Sequence, residues 1–316
     1  MTNGDLMAVW YGGPPGPINR DLALYVAIFN RSKATWTDVT LVTNVSHTQA
    51  DIGRSVYAIG NPVLLTDSKG MIWLFYVTVS LPGWSSSAIN LKTSDDNGKT
   101  WTPARRLVTH PFFNVSTLVK GAPFLYGDGS IGLPVYHEFL GVFPELVRIS
   151  ADGRILDKTR MYYGRNSLQP SIVPMDAKHA ISFLRPWFKL WGGTEDTRVL
   201  MTRTSDGGSK WAVPIELNLA NPHSAVMGLR ISDGSILLVF NNSTKGRNNL
   251  SLAMSNNSAQ HWRVIYTFEK GDAYKSFSYP YIIQTQDGHI DLVYAWNGTH
   301  IKHITFNEAW IRSIAQ

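Results

Sequence analysis

Residues 91–101 read LKTSDDNGKTW and join a strand-like run to a compact polar turn. The end of this stretch follows the pattern Ser94-x-Asp96-x-Gly98-x-Thr100-Trp101. Serine, threonine and aspartate side chains at alternate positions can hydrogen-bond the backbone of a tight turn, and glycine permits a positive φ. The tryptophan is expected to fold back over the turn as an apolar plug. The stretch therefore predicts a hairpin between two β-strands.

The same pattern returns further along the chain. It reads Thr204-x-Asp206-x-Gly208-x-Lys210-Trp211 and then, in altered form, Ser255-x-Asn257-x-Ala259-x-His261-Trp262. Repetition of one turn type at this scale indicates an array of similar structural units.

A second repeat consists of a strand, a turn and another apolar strand, and it occurs six times. The turn positions are Gly4, Gly70, Gly129, Ala177, Gly234 and Gly288. Their spacing of roughly 50 to 65 residues suits four-stranded propeller blades, whose repeats run about 40 to 50 residues. The sequence predicts an all-β, six-bladed β-propeller in one domain spanning residues 1–316. Because Met1 falls inside the leading hairpin of the first blade, we expect that blade to lack its innermost N-terminal strand.

The turn pattern resembles the Asp-box, or BNR repeat, of the sialidase (neuraminidase)-like β-propellers. The resemblance extends over nearly the whole chain, through the strand openings NPVLL and QPSIV and the segment SYPYIIQTQDG. It implies a protein that handles carbohydrate. Asp-boxes also occur in lyases and binding proteins, so the resemblance does not choose one substrate.

Composition limits the other function classes. The chain has 316 residues, no cysteine, and a net charge of +6 without a Lys/Arg block. Disulfides and thiolate metal sites are excluded, nucleic acid is an unexpected partner, and an acidic glycan is compatible with the charge. No apolar run approaches the roughly 18 residues of a transmembrane segment. We expect no cofactor. The sequence shows no secretory leader. It does not choose a compartment, and a full-length form could be secreted or periplasmic.

Strand geometry brings two sets of residues to one mouth of the predicted propeller. The innermost strand begins where its antiparallel neighbour ends, so residues about nine before and eight after each turn share a face. The first set is Asn61, Lys120, Gln169, His223 or Ser224, and Tyr279; the second is Thr78, His137, Arg185, Asn242 and Trp296. Loops that follow the second strand bring Arg20, Asp21 and Arg247 to the same face. The Asp-box turns are expected at the opposite face, as scaffold.

Two of these residues match arginines that sialidases use to hold a sugar carboxylate. By resemblance, Arg185 is the second and Arg247 the third of three such arginines. The first belongs on the strand that precedes Gly4. A guanidinium presents a fixed fork of donors and stays charged, which suits a carboxylate. The alternatives are an ion pair of Arg185 with Glu195 or Asp196, and an exposed loop position for Arg247.

Tyr279 corresponds to the tyrosine nucleophile of the family, an exception among glycosidases. The family's glutamate base is replaced here by Gln169, and an amide cannot accept the proton. Glu138 or His137 would then have to serve. Asp21 matches the loop aspartate that acts as general acid or acid/base in the family. Its alternative is a loop aspartate that pairs with Arg20. For Tyr279 the alternative is a buried tyrosine with a satisfied hydroxyl.

The resemblance implies an exo-sialidase-like glycoside hydrolase that cleaves a terminal acidic sugar. Ala295 stands where the family commonly has a glutamate, a further departure. Two alternatives remain open: a polysaccharide lyase acting on uronate-containing glycans, and a glycan-binding propeller without catalysis. No metal is expected, although two histidines with a carboxylate would be a possible ligand set. Further candidate substrate-binding residues are Arg20, Asn61, Lys120, His223 and Trp296.

Overall fold

The computed structural model describes residues 1–14, 20–112, 114–139, 141–187, 197–256 and 258–315. Asn257 of the altered box and the acidic pair Glu195 and Asp196 lie outside the described residues. Within the described chain, six antiparallel sheets form the blades of a β-propeller, as the sequence predicts. The chain divides into two compact units, 1–160 and 161–316. The expectation of one domain stays a prediction.

The first unit contains three sheets. The first has β1 (Leu6–Gly12), β2 (Ala23–Asn30), β3 (Thr35–Trp36) and β4 (Thr40–Asn44). The second has β5 (Ala58–Thr66), β6 (Ile72–Val79), β7 (Ser87–Ser94) and β8 (Arg105–Arg106). The third has β9 (Leu118–Val119), β10 (Phe124–Leu125), β11 (Ile131–His137), β12 (Phe143–Ile149) and β13 (Ile155–Arg160). Because β3 and β4 both pair with β2, the first sheet has three strand positions among the described residues.

The second unit also contains three sheets. The first has β14 (Ser167–Pro174), β15 (Ala180–Pro186), β16 (Arg198–Thr204) and β17 (Ile215–Ala220). The second has β18 (Met227–Arg230), β19 (Ile236–Phe240), β20 (Asn249–Ser255) and β21 (Arg263–Lys270). The third has β22 (Phe277–Gln284), β23 (His289–Trp296) and β24 (His300–Asn307).

Two short α-helices, α1 (Val45–Ile52) and α2 (Glu308–Ile314), and a 3-10 helix at Trp84–Ser86 complete the described chain. Each α-helix begins after an asparagine whose side chain accepts a backbone N–H of the first turn, Asn44 for α1 and Asn307 for α2. None of these helices is long or apolar enough to cross a bilayer.

The core of each unit lies between its sheets. The middle strand β6 is buried at every position and β19 likewise, as expected for strands covered on both faces. In the second unit, Phe183, Phe240 and Trp262 belong to one buried cluster. In the first, Leu24, Ile59 and Tyr76 do so.

The predicted hairpin turns are confirmed. In five of them the turn glycine has a φ between 80° and 88°, and its N–H donates to the carbonyl three residues earlier: Gly4, Gly70, Gly129, Gly234 and Gly288. The fourth turn has Ala177 and is closed by His179, whose carbonyl accepts the N–H groups of Met175 and Asp176.

The Asp-box turns are held by their own side chains. Asp96 Oδ1 accepts the Thr100 N–H at 2.9 Å, and Ser94 Oγ accepts the Gly98 N–H at 2.8 Å. The second box repeats these contacts through Asp206 and Thr204. In the altered box, Trp262 Nε1 donates to the Ala259 carbonyl at 3.2 Å. The boxes are scaffold, because their polar groups bond within the turn.

The box and the arginine of the fourth blade lie at opposite ends of one sheet. Thr204, where the second box starts, pairs with Ala180 at the beginning of β15. Arg185 pairs with Leu168 at the far end of β15.

Candidate functional site

Three innermost strands share a distortion at the end that carries candidate site residues. Strands β5, β14 and β22 each shift register by a bulge, at Asn61-Pro62, Gln169-Pro170 and Tyr279-Pro280. The residue before each proline is left-handed, with φ of 48°, 52° and 54°. Left-handed backbone is costly for residues other than glycine, and bulges redirect side chains. Each bulge therefore fixes the direction in which one polar or aromatic side chain leaves its strand.

In the second unit, direct contacts join five candidate residues into two groups. Arg185 Nη1 donates to Gln169 Oε1 at 3.2 Å. Arg247 Nη2 donates to the His223 carbonyl at 3.4 Å, and its Cζ lies 5.5 Å from the centre of the Tyr279 ring. We call Gln169, Arg185, His223, Arg247 and Tyr279 the arginine cluster.

His223 connects the two halves of the arginine cluster. It is left-handed, with φ of 52°, and its Nδ1 lies 3.4 Å from the Pro186 carbonyl, one residue beyond Arg185. Burial lowers the pKa of the imidazole, the Pro186 carbonyl opposes this, and the charge of Arg185 lowers the pKa further. His223 is therefore neutral at pH 7, and the cluster carries its positive charge on two guanidiniums.

Tyr279 is accessible. Its side chain is 42% exposed, so the interpretation as a buried tyrosine is wrong. A guanidinium near the face of a tyrosine ring is attracted by the ring quadrupole. This contact holds Arg247 beside the phenol without neutralising its charge.

Trp296 has other partners. It ends β23 opposite Phe277, with 6.4 Å between the ring centres, and Lys275 Nζ lies 5.6 Å from its ring. Ala295 pairs with Ser278. Trp296 also meets His300 of β24 edge-on, with 6.1 Å between ring centres.

In the first unit, the predicted residues occupy the loops and strand ends of its own three sheets. Arg20 and Asp21 are exposed and precede β2. Asn61 Nδ2 donates to the Tyr136 hydroxyl at 3.2 Å. Lys120 lies partly buried between β9 and β10, where the innermost strand of the third blade is interrupted.

His137 is the last residue of β11, and Glu138 follows it. The His137 ring stacks on Phe143 with 4.7 Å between ring centres. Burial lowers its pKa to about 4, and the charges of Lys158 and Arg160 lower it too. The Glu138 N–H donates to Ser116 Oγ at 2.8 Å. His137 is neutral at pH 7 and a weak proton acceptor.

Two aromatic residues near Asn61 were missed by the sequence analysis. The Trp84 ring covers Gly60, where an added Cβ would lie 2.8 Å from Cη2. Tyr11, 37% exposed, meets Trp84 edge-on with 6.4 Å between ring centres. The glycine beside Asn61-Pro62 was the available signal, because glycine in a strand often marks a close approach.

Among the described residues, no group of three or more His, Asp or Glu side chains is placed to hold a metal ion.

A family profile for the BNR repeat-like domain matches residues 4–292. The chain belongs to this family. No curated protein sequence matches this BNR repeat-like domain.

Solved structures similar to this BNR repeat-like domain include sialidases. A Hadza microbial sialidase superposes with a TM-score of 0.75 at 16% identity, covering 97% of this chain and 64% of that one. A protein of unknown function from Dyadobacter fermentans superposes with a TM-score of 0.74 at 15% identity, covering 96% of this chain and 92% of that one. A leech intramolecular trans-sialidase, solved with 2,7-anhydro-Neu5Ac, superposes with a TM-score of 0.72 at 13% identity, covering 97% of this chain and 67% of that one. At these identities the similarity shows the fold, and the chain spans less than two thirds of the first sialidase.

Proposed function

We propose that this BNR repeat-like domain binds the terminal acidic sugar of a glycan and hydrolyses its glycosidic bond, as an exo-sialidase-like glycosidase. The observation that supports this most is the arginine cluster, in which His223 accepts from Arg247 through its carbonyl and lies against the carbonyl of Pro186, the residue after Arg185. Paired guanidiniums suit a carboxylate because each offers parallel N–H donors. The leech relative, solved with an acidic sugar, supports the same ligand class.

In the proposed reaction, the Tyr279 oxygen attacks the anomeric carbon and the bond to the leaving oxygen breaks. Asp21 gives its proton to the leaving oxygen and then takes one from the water that releases the sugar from Tyr279. A neutral phenol avoids repulsion from the bound carboxylate. Its proton must pass to a base, and Glu138 and His137 are the two candidates for that role.

One observation favours a second candidate, a glycan-binding propeller without catalysis. Gln169 lies next to Arg185 and its Oε1 accepts from the guanidinium. An amide cannot take up the phenol proton. Binding by the two arginines does not need a proton acceptor at position 169, whereas attack by Tyr279 would be slow without one.

The test measures sugar release and affinity in parallel, with sialyllactose as the probe. We expect Tyr279→Phe and Asp21→Asn each to lower kcat by about 100-fold or more with little change in Kd. Arg185→Ala and Arg247→Ala should each weaken binding by about 100-fold, the scale of a charge-assisted pair. Arg230→Ala is the control, because Arg230 Nη1 donates to the Met175 carbonyl away from the cluster.

The outcomes separate the candidates. Tight binding without sugar release, unchanged by Tyr279→Phe, would support the binding propeller. An unsaturated product with ultraviolet absorbance would point to a lyase. If the wild-type protein neither binds nor cleaves any acidic glycoside, both proposals fail.

A further inference from the structure

Two arginines of the first unit, Arg54 and Arg106, lie near each other and pair with no carboxylate of the described residues. Arg106 is partly buried on β8, the outermost strand of the second sheet, opposite Asn90 of β7. Its Nη2 donates to the Asn114 carbonyl at 3.0 Å, the one hydrogen bond of this guanidinium within the described part of the chain. A guanidinium has five N–H donors. Most donors of Arg106 are therefore not used by the described residues.

Helix α1 brings Arg54 to this strand. Asp51, in the last turn of α1, accepts the Ala104 N–H at 2.7 Å. This hydrogen bond anchors the end of the helix two residues before Arg106. Gly53 then caps the helix in the left-handed conformation, with φ of 62°, and Arg54 follows it. The fold itself thus places the second arginine beside the first.

The two positive charges are not offset by an acid of α1. Burial lowers the pKa of the Arg106 guanidinium, and the charge of Arg54 lowers it further. Asp51 is already in an ion pair, with its Oδ2 at 2.8 Å from Lys92 Nζ. The residues of the first unit outside the described ranges, 15–19, 113 and 140, include no Asp or Glu. The pair therefore keeps its two charges.

Other arginines of the first unit have acidic partners. Arg148 Nη2 lies 2.5 Å from Asp128 Oδ2, and Arg154 Nε lies 2.7 Å from Asp152 Oδ2. A partly buried guanidinium beside a like charge costs free energy that a bound anion would compensate. Two cations with unused donors, one of them partly buried, are what an anion-binding site requires.

We propose that Arg54 and Arg106 form a binding site for a sulfate or phosphate group, in addition to the arginine cluster of the second unit. A tetrahedral oxyanion presents oxygens in more than one plane, so it can accept from two guanidiniums that belong to different elements. A carboxylate, by contrast, is filled by the fork of one guanidinium. A sulfated or phosphorylated glycan and a free inorganic ion share this chemistry. The inference requires neither hydrolysis nor an acidic sugar at the arginine cluster.

The first experiment titrates the protein with inorganic sulfate, inorganic phosphate and galactose 6-sulfate by calorimetry at constant ionic strength, with galactose as the neutral ligand. Arg54→Gln and Arg106→Gln should each weaken binding of the anions by about tenfold, the scale of a lost charge-assisted hydrogen bond. Arg154→Gln removes the same charge from an exposed ion pair and should change affinity less than twofold. Because the arginine cluster also attracts anions, the series is repeated in Arg247→Ala protein, where the same losses are expected.

A second measurement uses charge reversal and thermal melts. Arg54→Glu places a carboxylate beside Arg106, so without sulfate or phosphate it should melt at a higher temperature than wild type. Millimolar sulfate should raise the melting temperature of wild type, because a ligand of the folded state stabilises it. The same addition should not raise that of Arg54→Glu. A variant that merely misfolds would melt at a lower temperature instead.

The outcomes decide both the site and the source of the anion. Binding of galactose 6-sulfate that both glutamine variants weaken supports the site with a sulfate ester as its ligand. The same losses for the inorganic ions alone support it with a free oxyanion as the ligand. The inference is overturned if none of the three anions binds, or if neither glutamine variant weakens binding.

Discussion

Left-handed backbone occurs at two kinds of position in this protein, and the sequence treats them differently. At the hairpin and box turns the residue is usually glycine, as at Gly70 and Gly208. At the strand bulges it is Asn61, Gln169 or Tyr279, each before a proline. A side chain in this conformation costs about 1–2 kcal/mol, which glycine avoids. The bulges therefore keep side chains at a cost, which is the pattern expected where the side chain itself is needed.

The hydrogen bonds of the second Asp-box and of the arginine cluster also differ. At the second box, Asp206 and Thr204 bond to the turn that contains them. In the arginine cluster, charged groups contact neutral partners, as Arg247 does with the His223 carbonyl. The box end uses its polar groups within its own turn, whereas the described hydrogen bonds of the two guanidiniums at the other end run to a neighbouring strand and a loop. Three substitutions test this division.

The largest effect is expected at the altered box. Trp262 is 6% exposed, and its ring meets Phe183 edge-on with 5.3 Å between ring centres. Trp262→Ala should lower the free energy of unfolding by about 3–5 kcal/mol, since a large buried side chain leaves a cavity. Urea denaturation measures this. The exposed Val213→Ala, beside the second box and 80% exposed, is the control and should change little.

If the box end is scaffold alone, the folded fraction of Trp262→Ala should bind sialyllactose with wild-type affinity. A loss of affinity in protein shown to be folded would mean that the two ends of the blade are coupled.

The second effect concerns the glycine of a box turn. Gly208 has a φ of 98°, and its N–H donates to Thr204 Oγ1 at 3.1 Å. Gly208→Ala should lower the free energy of unfolding by about 1–2 kcal/mol, because the new Cβ is strained at this φ. Gly127→Ala is the matched control, since an added Cβ there meets no atom within 4 Å. Equal effects of the two substitutions would contradict the strain argument.

Much of the fold could be predicted because its signals repeat. Turn glycines and boxes recur at the blade period, and antiparallel pairing fixes which residues share a strand end. Counting from the turns therefore selected Gln169, Arg185 and Tyr279; in the structure Gln169 contacts Arg185, and Tyr279 contacts Arg247.

Counting along the strands fails where the strand is irregular. In the third blade it selected Lys120, yet the innermost strand is split into β9 and β10, and the left-handed residue near its start is Ser116, with φ of 58°. The contact of Trp84 with Gly60 was also missed, because it joins a loop to a strand far away in sequence. Trp296 lies at the predicted strand end, but its neighbours Phe277 and Lys275 could not be read from spacing.

The smallest change in the free energy of unfolding is expected at Tyr279, and the sign of this change is what tests the argument. Tyr279→Gly removes the left-handed strain of about 1–2 kcal/mol but adds about 0.5–1 kcal/mol of backbone entropy to the unfolded chain. The free energy of unfolding should rise by about 0.5 kcal/mol, while sugar release is lost. Tyr279→Phe keeps the strained backbone and should leave stability unchanged while also abolishing release. If Tyr279→Gly instead destabilises the protein, the tyrosine is part of the packing, and the bulges are no longer positions where stability is given up for a reactive or ligand-binding side chain.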